Sequence, residues 1–223
     1  MPKSKAVIWD MDGVIADTAP YHLKAWQVVF RERGMNFTEE DFRHTFGQRN
    51  DTIIRSALGG EISQHEIGAI ANKKEESFRR RIKQKLRPLP GVIELMTSLK
   101  KRGFQMALAS SAPIENIRLV IKTLGINGCF QSIICDRDVT EGKPSPQVFL
   151  LAAERLGVEP KDCIVIEDAV AGVTAAKRAG MYCVTVTGTH PRHSLREADL
   201  VVDTLEAVST NALERLFNPL REA

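Results

Sequence analysis

Cysteine is scarce in this 223-residue chain: Cys129, Cys135, Cys163 and Cys183 are all there is, and no two form a Cys-x-x-Cys pair. That spacing argues against a zinc ribbon and a disulfide framework. The last three sit in or beside apolar runs and read as buried reduced thiols. Charge of one sign is missing too, since 31 Lys and Arg face 28 Asp and Glu and leave a net charge of +3. A polyanion binder shows a basic stripe or tail. Trp9, Trp26 and two tyrosines are too few stacking rings for a nucleic-acid groove. The longest apolar stretches, such as 6–9 and 164–166, fall far short of the roughly 18 residues of a membrane span. The opening MPKSKAVIWD has no apolar signal core and no small-residue cleavage site. The expectation is a cytoplasmic globular protein, because 43% apolar residues also exclude a disordered chain.

What is present is a repeated grammar. An amphipathic stretch, a glycine and an apolar run recur four times: ELMTSLKKRG before FQMALAS, RLVIKTLG before CFQSIIC, FLLAAERLG before CIVIED, and AVAGVTAAKRAG before MYCVTVT. Gly103, Gly125, Gly157 and Gly180 stop the helices, because glycine adopts the left-handed conformation after a helix end without a Cβ penalty. With AVIWD at the start, this predicts at least five strands. Continuous apolar runs mark strands buried on both faces, hence an α/β fold: a Rossmann-like, doubly wound parallel sheet.

Between the first strand and these units, roughly residues 18–88, no strand-like run occurs. The segment reads as helices over HLKAWQVVF, TEEDFRHTF, NDTIIRSAL and a long stretch from Ser63 to Leu86, with Thr38/Asp41 and Ser63/Glu66 as capping boxes. The expected organisation is a core of 1–17 and 89–223 with an all-helical cap, 18–88, inserted after strand one. Loops leaving the C-terminal ends of parallel strands border the ligand crevice, which would place the cap over it as a lid.

The chemistry gathers at strand ends. Asp10 ends the first strand, and Asp12 follows just before Gly13. Two carboxylates this close suit a nucleophile beside a general acid, if a cation or hydrogen bonds hold their pKa values apart; a turn or helix cap is the plainer alternative. Glu167-Asp168 ends the apolar run 164–166 and precedes a helix, where Asp168 is either an N-cap or, with Asp10, part of a hard oxygen site of the kind that takes Mg²⁺. Ser110-Ser111 ends another strand, and its hydroxyl and N–H groups suit phosphate oxygens. Lys143, in EGKPSP, stands before a further helix and brings a positive charge.

A nucleophile, an acid, a phosphate cradle, a cation and metal ligands, spread over four strand ends, resemble the haloacid dehalogenase superfamily of phosphoryl-transfer enzymes. The resemblance runs from Ala6 to about Asp203. It implies that Asp10 attacks phosphorus to give an aspartyl phosphate, that Asp12 protonates the leaving oxygen and then activates the acceptor, and that Ser110 and Lys143 bind the transferring group. It also implies Mg²⁺ held by Asp10, the backbone carbonyl of Asp12 and Asp168, with Glu167 nearby. The presence of Asp12 argues against carbon–halogen and carbon–phosphorus substrates.

The 18–88 segment is similar to that of the β-phosphoglucomutase branch and its sugar-phosphate phosphatase relatives. The similar stretches are Asp17-Thr18-Ala19-Pro20-Tyr21-His22 with Ala25-Trp26, Arg49-Asn50-Asp51-Thr52, and Ala71-Asn72-Lys73-Lys74. By this resemblance His22, Arg49 and Lys74 join Ser111 as substrate-binding candidates. Gly47-Gln48-Arg49 is one residue shorter than the mutase pattern, and Ile114 stands where that branch has asparagine. The plainer alternatives are a helix-surface His22 and a solvated cationic face for Lys73, Lys74, Arg79, Arg80, Arg81, Lys83, Lys85 and Arg87; His190 and His193 read as surface residues.

The function expected is an Mg²⁺-dependent phosphatase of small monoesters such as sugar phosphates. The alternatives are an isomerase moving phosphate within a hexose phosphate and a catalytically silent ligand sensor. The expected partner is a small phosphorylated metabolite rather than a nucleic acid or membrane, with the protein a monomer or weak homodimer.

Overall fold

The computed structural model describes residues 4–59, 62–82 and 86–217. Strand β1 (Ala6–Trp9) is followed by four helices, α1 (Ala19–Arg31), α2 (Glu39–Thr45), α3 (Asn50–Leu58) and α4 (Gln64–Ile82). The chain then alternates: α5 (Val92–Lys101), β2 (Gln105–Ala109), α6 (Ile114–Leu124), β3 (Ser132–Ile134), α7 (Gln147–Leu156), β4 (Cys163–Glu167), α8 (Val170–Arg178) and β5 (Tyr182–Val186). It closes with β6 (Leu200–Val202) and α9 (Thr210–Leu216). The four glycine stops all take positive φ, and Cys135, Cys163 and Cys183 are buried free thiols while Cys129 is half-buried. The sixth strand was not marked by the repeated grammar, because no amphipathic helix precedes it.

The strands form one parallel sheet in the order β3-β2-β1-β4-β5-β6. The chain winds outward from β1 through β2 to β3, then crosses back to β4 on the other side. The β1/β4 junction is thus the point where the order reverses, and the crevice beyond those strand ends is where ligands bind in such sheets. Alternation along β1 sends Val7 and Trp9 into one apolar layer and Ala6 and Ile8 into the other. Each layer is covered by helices, which is why the strands carry no polar face.

The helices before β2 build a third core of their own. Trp26, Phe30, Phe37, Phe42 and Phe46 pack with Ile53, Ile54, Ile67 and Ile70. Both capping boxes form: the Thr38 hydroxyl accepts from Asp41 N–H at 3.1 Å, and the Ser63 hydroxyl accepts from Glu66 N–H at 3.2 Å. Helix α4 corrects the reading of its cationic run as one solvated face. Lys73, Arg80, Arg81 and Arg87 are exposed, but Lys74 is only 3% exposed, because the 3.6-residue period sets it on the buried stripe with Ile67, Ile70 and Phe78. Lys83 and Lys85 lie outside the described residues. Among the described residues no helix is long and apolar enough to cross a membrane.

Candidate active site

Parallel pairing at the reversal point brings two acidic strand ends side by side. The Asp10 N–H donates to the Ile166 carbonyl at 3.0 Å, so Asp10 stands level with the start of Glu167-Asp168. Lys143, reaching in from the loop before α7, donates to Asp10 Oδ1 and to Glu167 Oε1, both at 2.5 Å. The other Glu167 oxygen accepts from the N–H groups of Asp168 and Ala169 at 2.7 and 2.8 Å, capping the start of α8. Glu167 is fully buried, and through these contacts it orients Lys143 and the β4 turn.

Asp168 receives the Thr189 hydroxyl on Oδ2. Gly13 lies against it at φ +78°, and a Cβ there would collide with the Asp168 carboxylate. Glycine at 13 is therefore demanded twice, by the left-handed backbone and by the close approach of the acid.

Three buried carboxylates, Asp10, Glu167 and Asp168, share one ammonium. Burial pushes Asp10 up to about 7, with Glu167 and Asp12 adding to the rise and Lys143 opposing it. Burial likewise holds Asp168 well above the usual carboxylate range, reinforced by Glu167 and Asp10. Burial would lower Lys143, but Asp10 and Glu167 more than reverse this and leave it raised. The edge carries more buried negative charge than Lys143 offsets. Among the described residues no group of three or more His, Cys, Asp or Glu side chains is gathered at ligand distances, since Lys143 lies between Asp10 and Glu167. Asp10 and Asp168 still present hard oxygen atoms from adjacent strand ends. An excess of buried carboxylate is the condition a divalent cation such as Mg²⁺ relieves, so the residues fit that ion.

Asp12 takes the opposite course. Burial raises its pKa, but His22, Thr18 and Lys74 outweigh this and leave it below the ordinary value. The Thr18 hydroxyl donates to Asp12 Oδ1 at 2.6 Å, and His22 Nε2 lies 3.2 Å from the same oxygen. His22 is buried, stacked on Phe78 with centroids 3.8 Å apart, rather than on a helix surface. Its Nδ1 faces Lys74 Nζ at 2.9 Å. A lysine ammonium only donates, so Nδ1 is the acceptor and Nε2 carries the proton given to Asp12.

The remaining candidates divide. Ser110 is buried, and its hydroxyl accepts from Ala112 N–H at 3.1 Å, turning the chain into α6. The Ser111 hydroxyl donates across to the Gly47 carbonyl at 2.9 Å. Arg49 departs from expectation. Its guanidinium pairs with Asp51 and donates to the carbonyls of Asp136 and Val139 at 3.1 and 2.8 Å, with its stem against Gly142. It ties the helical segment to the sheet edge and does not line the cavity. His193 is exposed, as read, but half-buried His190 sets its ring nitrogens 3.2 Å from the Asp168 carbonyl and 3.1 Å from that of Arg43.

Composition and motif spacing missed Glu75, Asn50 and Asn116. Glu75 lines the cavity beside Lys74 and accepts from Lys74, Asn50 and Asn116 at 2.7, 2.8 and 2.6 Å. The usable signal was positional: Lys74 interrupts an apolar stripe, and a buried lysine requires a carboxylate partner. The cavity closed by Asp10, Asp12, His22, Lys74, Glu75 and Ser110 is about 40 Å³, room for a few waters.

Comparison with known proteins follows the same outline. The profile of the haloacid dehalogenase-like hydrolases matches residues 4–180. A β-phosphoglucomutase of Bacillus subtilis is 36% identical over 206 residues, covering 89% of this chain and 88% of that protein. A phosphorylated carbohydrates phosphatase of Thermotoga maritima is 32% identical over 224 residues, covering 98% and 99%. Among solved structures, a β-phosphoglucomutase from Clostridium difficile superposes with a TM-score of 0.89 at 29% identity, covering 97% of this chain and 98% of that one.

Proposed function

The chain belongs to the haloacid dehalogenase-like hydrolases, and from that premise we propose that it hydrolyses a small sugar phosphate with Asp10 as nucleophile, residues 18–88 serving as the cap. The observation that carries this reading is the contrast between two neighbouring acids. Asp10 stands against Lys143 at the sheet edge, whereas Asp12 is turned toward Thr18 and His22 under the helices.

In the first half-reaction Asp12, whose pKa lies below the ordinary value, first takes up a proton from solvent; an Asp10 oxygen then bonds to phosphorus, the bond from phosphorus to the sugar oxygen breaks, and Asp12 passes that proton to the sugar oxygen. In the second, Asp12 takes a proton from water, the water oxygen bonds to phosphorus, and the Asp10–phosphorus bond breaks to release phosphate. Lys143 and Ser110 hold the transferring group, whose spread negative charge makes alignment and electrostatics the main contributions. Asp10, Asp168 and the Asp12 carbonyl would hold Mg²⁺, which would supply positive charge to the phosphoryl oxygens. His22, donating from Nε2, positions Asp12 for both proton transfers.

The isomerase reading draws on the named activity of two relatives. It differs only in the acceptor, a sugar hydroxyl in place of water. The test for either is Asp10→Asn. With the fold verified by circular dichroism, turnover of p-nitrophenyl phosphate with Mg²⁺ is expected to fall by about 10³-fold or more; a folded variant retaining a substantial fraction of wild-type turnover removes the covalent mechanism.

A further inference from the structure

The side of the cavity formed by the helices before β2 carries a closed hydrogen-bonded network around one ion pair, Lys74 with Glu75. Lys74 has three N–H donors, and each has an acceptor: Glu75 Oε1 at 2.7 Å, His22 Nδ1 at 2.9 Å and Asn50 Oδ1 at 3.4 Å. Glu75 is filled as well. Its Oε1 also accepts from Asn50 Nδ2 at 2.8 Å, and its Oε2 from Asn116 Nδ2 at 2.6 Å. Asn116 is in turn held by Arg79 at 3.0 Å. Both members of the ion pair are nearly inaccessible, Lys74 at 3% and Glu75 at 4%. A further cation of the helical segment, Arg49, is turned outward onto the Asp136 and Val139 carbonyls.

Among the described residues lining this cavity, a second phosphate would meet no unengaged ammonium or guanidinium. It would meet the Glu75 carboxylate, desolvated and fixed in place, and like charges brought together in a buried site repel strongly. Hydroxyl groups face no such penalty. Gln48 and Asn50 line the same cavity and carry amide groups that can donate to and accept from an alcohol.

We infer that Glu75 is a specificity-determining residue: by consuming Lys74 it closes this side of the pocket to a second anionic group, so that the substrate is a monophosphate whose other end is uncharged and hydroxyl-bearing. The inference rests on the hydrolase reading for the site's use, but its test does not. Selectivity here works by an internal repulsive element, as in other sites that must refuse a close analogue.

The experiment compares glucose 6-phosphate with glucose 1,6-bisphosphate as competitors of p-nitrophenyl phosphate hydrolysis by the full chain with Mg²⁺, in wild type and in Glu75→Gln. In wild type the bisphosphate is expected to bind no more tightly than the monophosphate despite its extra charge. In Glu75→Gln, which keeps the shape and frees Lys74, the ratio of inhibition constants is expected to move at least tenfold toward the bisphosphate. A bisphosphate that binds wild type more tightly than the monophosphate overturns the inference, as does an unchanged ratio in a folded Glu75→Gln protein. If that variant does not fold, the wild-type comparison decides alone. Absence of any p-nitrophenyl phosphate turnover would instead defeat the hydrolase reading, and the same two ligands compared by calorimetric titration would still decide the role of Glu75.

Discussion

The sheet edge and the helical segment above it meet around one small cavity, yet they hold charge in opposite ways. At the edge, Asp10, Glu167 and Asp168 outnumber Lys143, and burial leaves Asp10 at about 7 and Asp168 raised. In the helical segment, Lys74 and Glu75 neutralise one another, and Glu75 is drawn down to about 2: burial raises it, but the charges of Lys74 and His22 and hydrogen bonds from Lys74 and Asn116 reverse this. The first arrangement waits for a cation and a phosphoryl group. The second is satisfied before any ligand arrives, and so can only refuse or tolerate what is offered. Chemistry belongs to the unbalanced side and selection to the balanced one.

The strongest challenge to that division is Lys143→Met. It leaves Asp10 and Glu167 buried without their shared partner, a loss of about 3 to 5 kcal/mol in stability, and it removes charge from the phosphoryl site. Urea denaturation is expected to show the first effect, and p-nitrophenyl phosphate turnover at least a hundredfold loss. A variant of near wild-type stability would mean the edge is not short of positive charge.

Next in size is acid sensitivity. With a folded pKa of about 2 against 4.5, Glu75 stabilises the fold above its unfolded value. That contribution is lost as pH falls through the window from about 4.5 to about 2. It amounts to about 3 kcal/mol by the usual 1.36 kcal/mol per pKa unit. Thermal melts between pH 6 and pH 2.5 are expected to flatten in Glu75→Gln relative to wild type; parallel curves would show that the Lys74–Glu75 pair is not the balanced element described.

Arg49→Ala sharpens the comparison from the other direction. Its bonds to Asp136 and Val139 are charge-assisted, each of a class worth about 1.5 to 3 kcal/mol, so stability falls while the apparent affinities for mono- and bisphosphate ligands shift together by the same factor. A loss confined to the bisphosphate would return Arg49 to the pocket. Ser63→Ala is the smallest change. Loss of the α4 cap costs about 1 kcal/mol, with turnover unchanged, since the cap lies on an exposed helix end.

These two regions also differ in how far the sequence discloses them. The strand-end acids were legible because a parallel register turns sequence position into place: apolar runs ending in Asp10 and in Glu167-Asp168 come level once β1 and β4 pair. The glycine stops and capping boxes were legible for the same reason, being local. Glu75, Asn116 and the buried state of Lys74 were not, because a helical side chain's surroundings depend on how α4 is rotated against α1 and α6. Glu75 and Asn116 lie 41 residues apart, on helices whose contact no short motif encodes. The placement of Arg49 was hidden for a related reason. Its motif placed it near the crevice, but the backbone carbonyls after β3 offered its guanidinium partners outside the cavity.

The 40 Å³ cavity sets the protein's timetable. On the proposed reading, a sugar phosphate is larger than this space, and each turnover would begin and end with the helices lifted from the sheet edge. The Arg49, Ser111 and His190 contacts across that seam include four hydrogen bonds, and Asn116 adds its bonds to Glu75 and Arg79. On that reading the lifted form is then a minor population. Apparent affinity is scaled down by that fraction, so weakening the seam would tighten apparent binding while leaving the strand-end groups untouched. With release gated in the same way, steady-state turnover would respond to solvent viscosity more than to the leaving group's acidity.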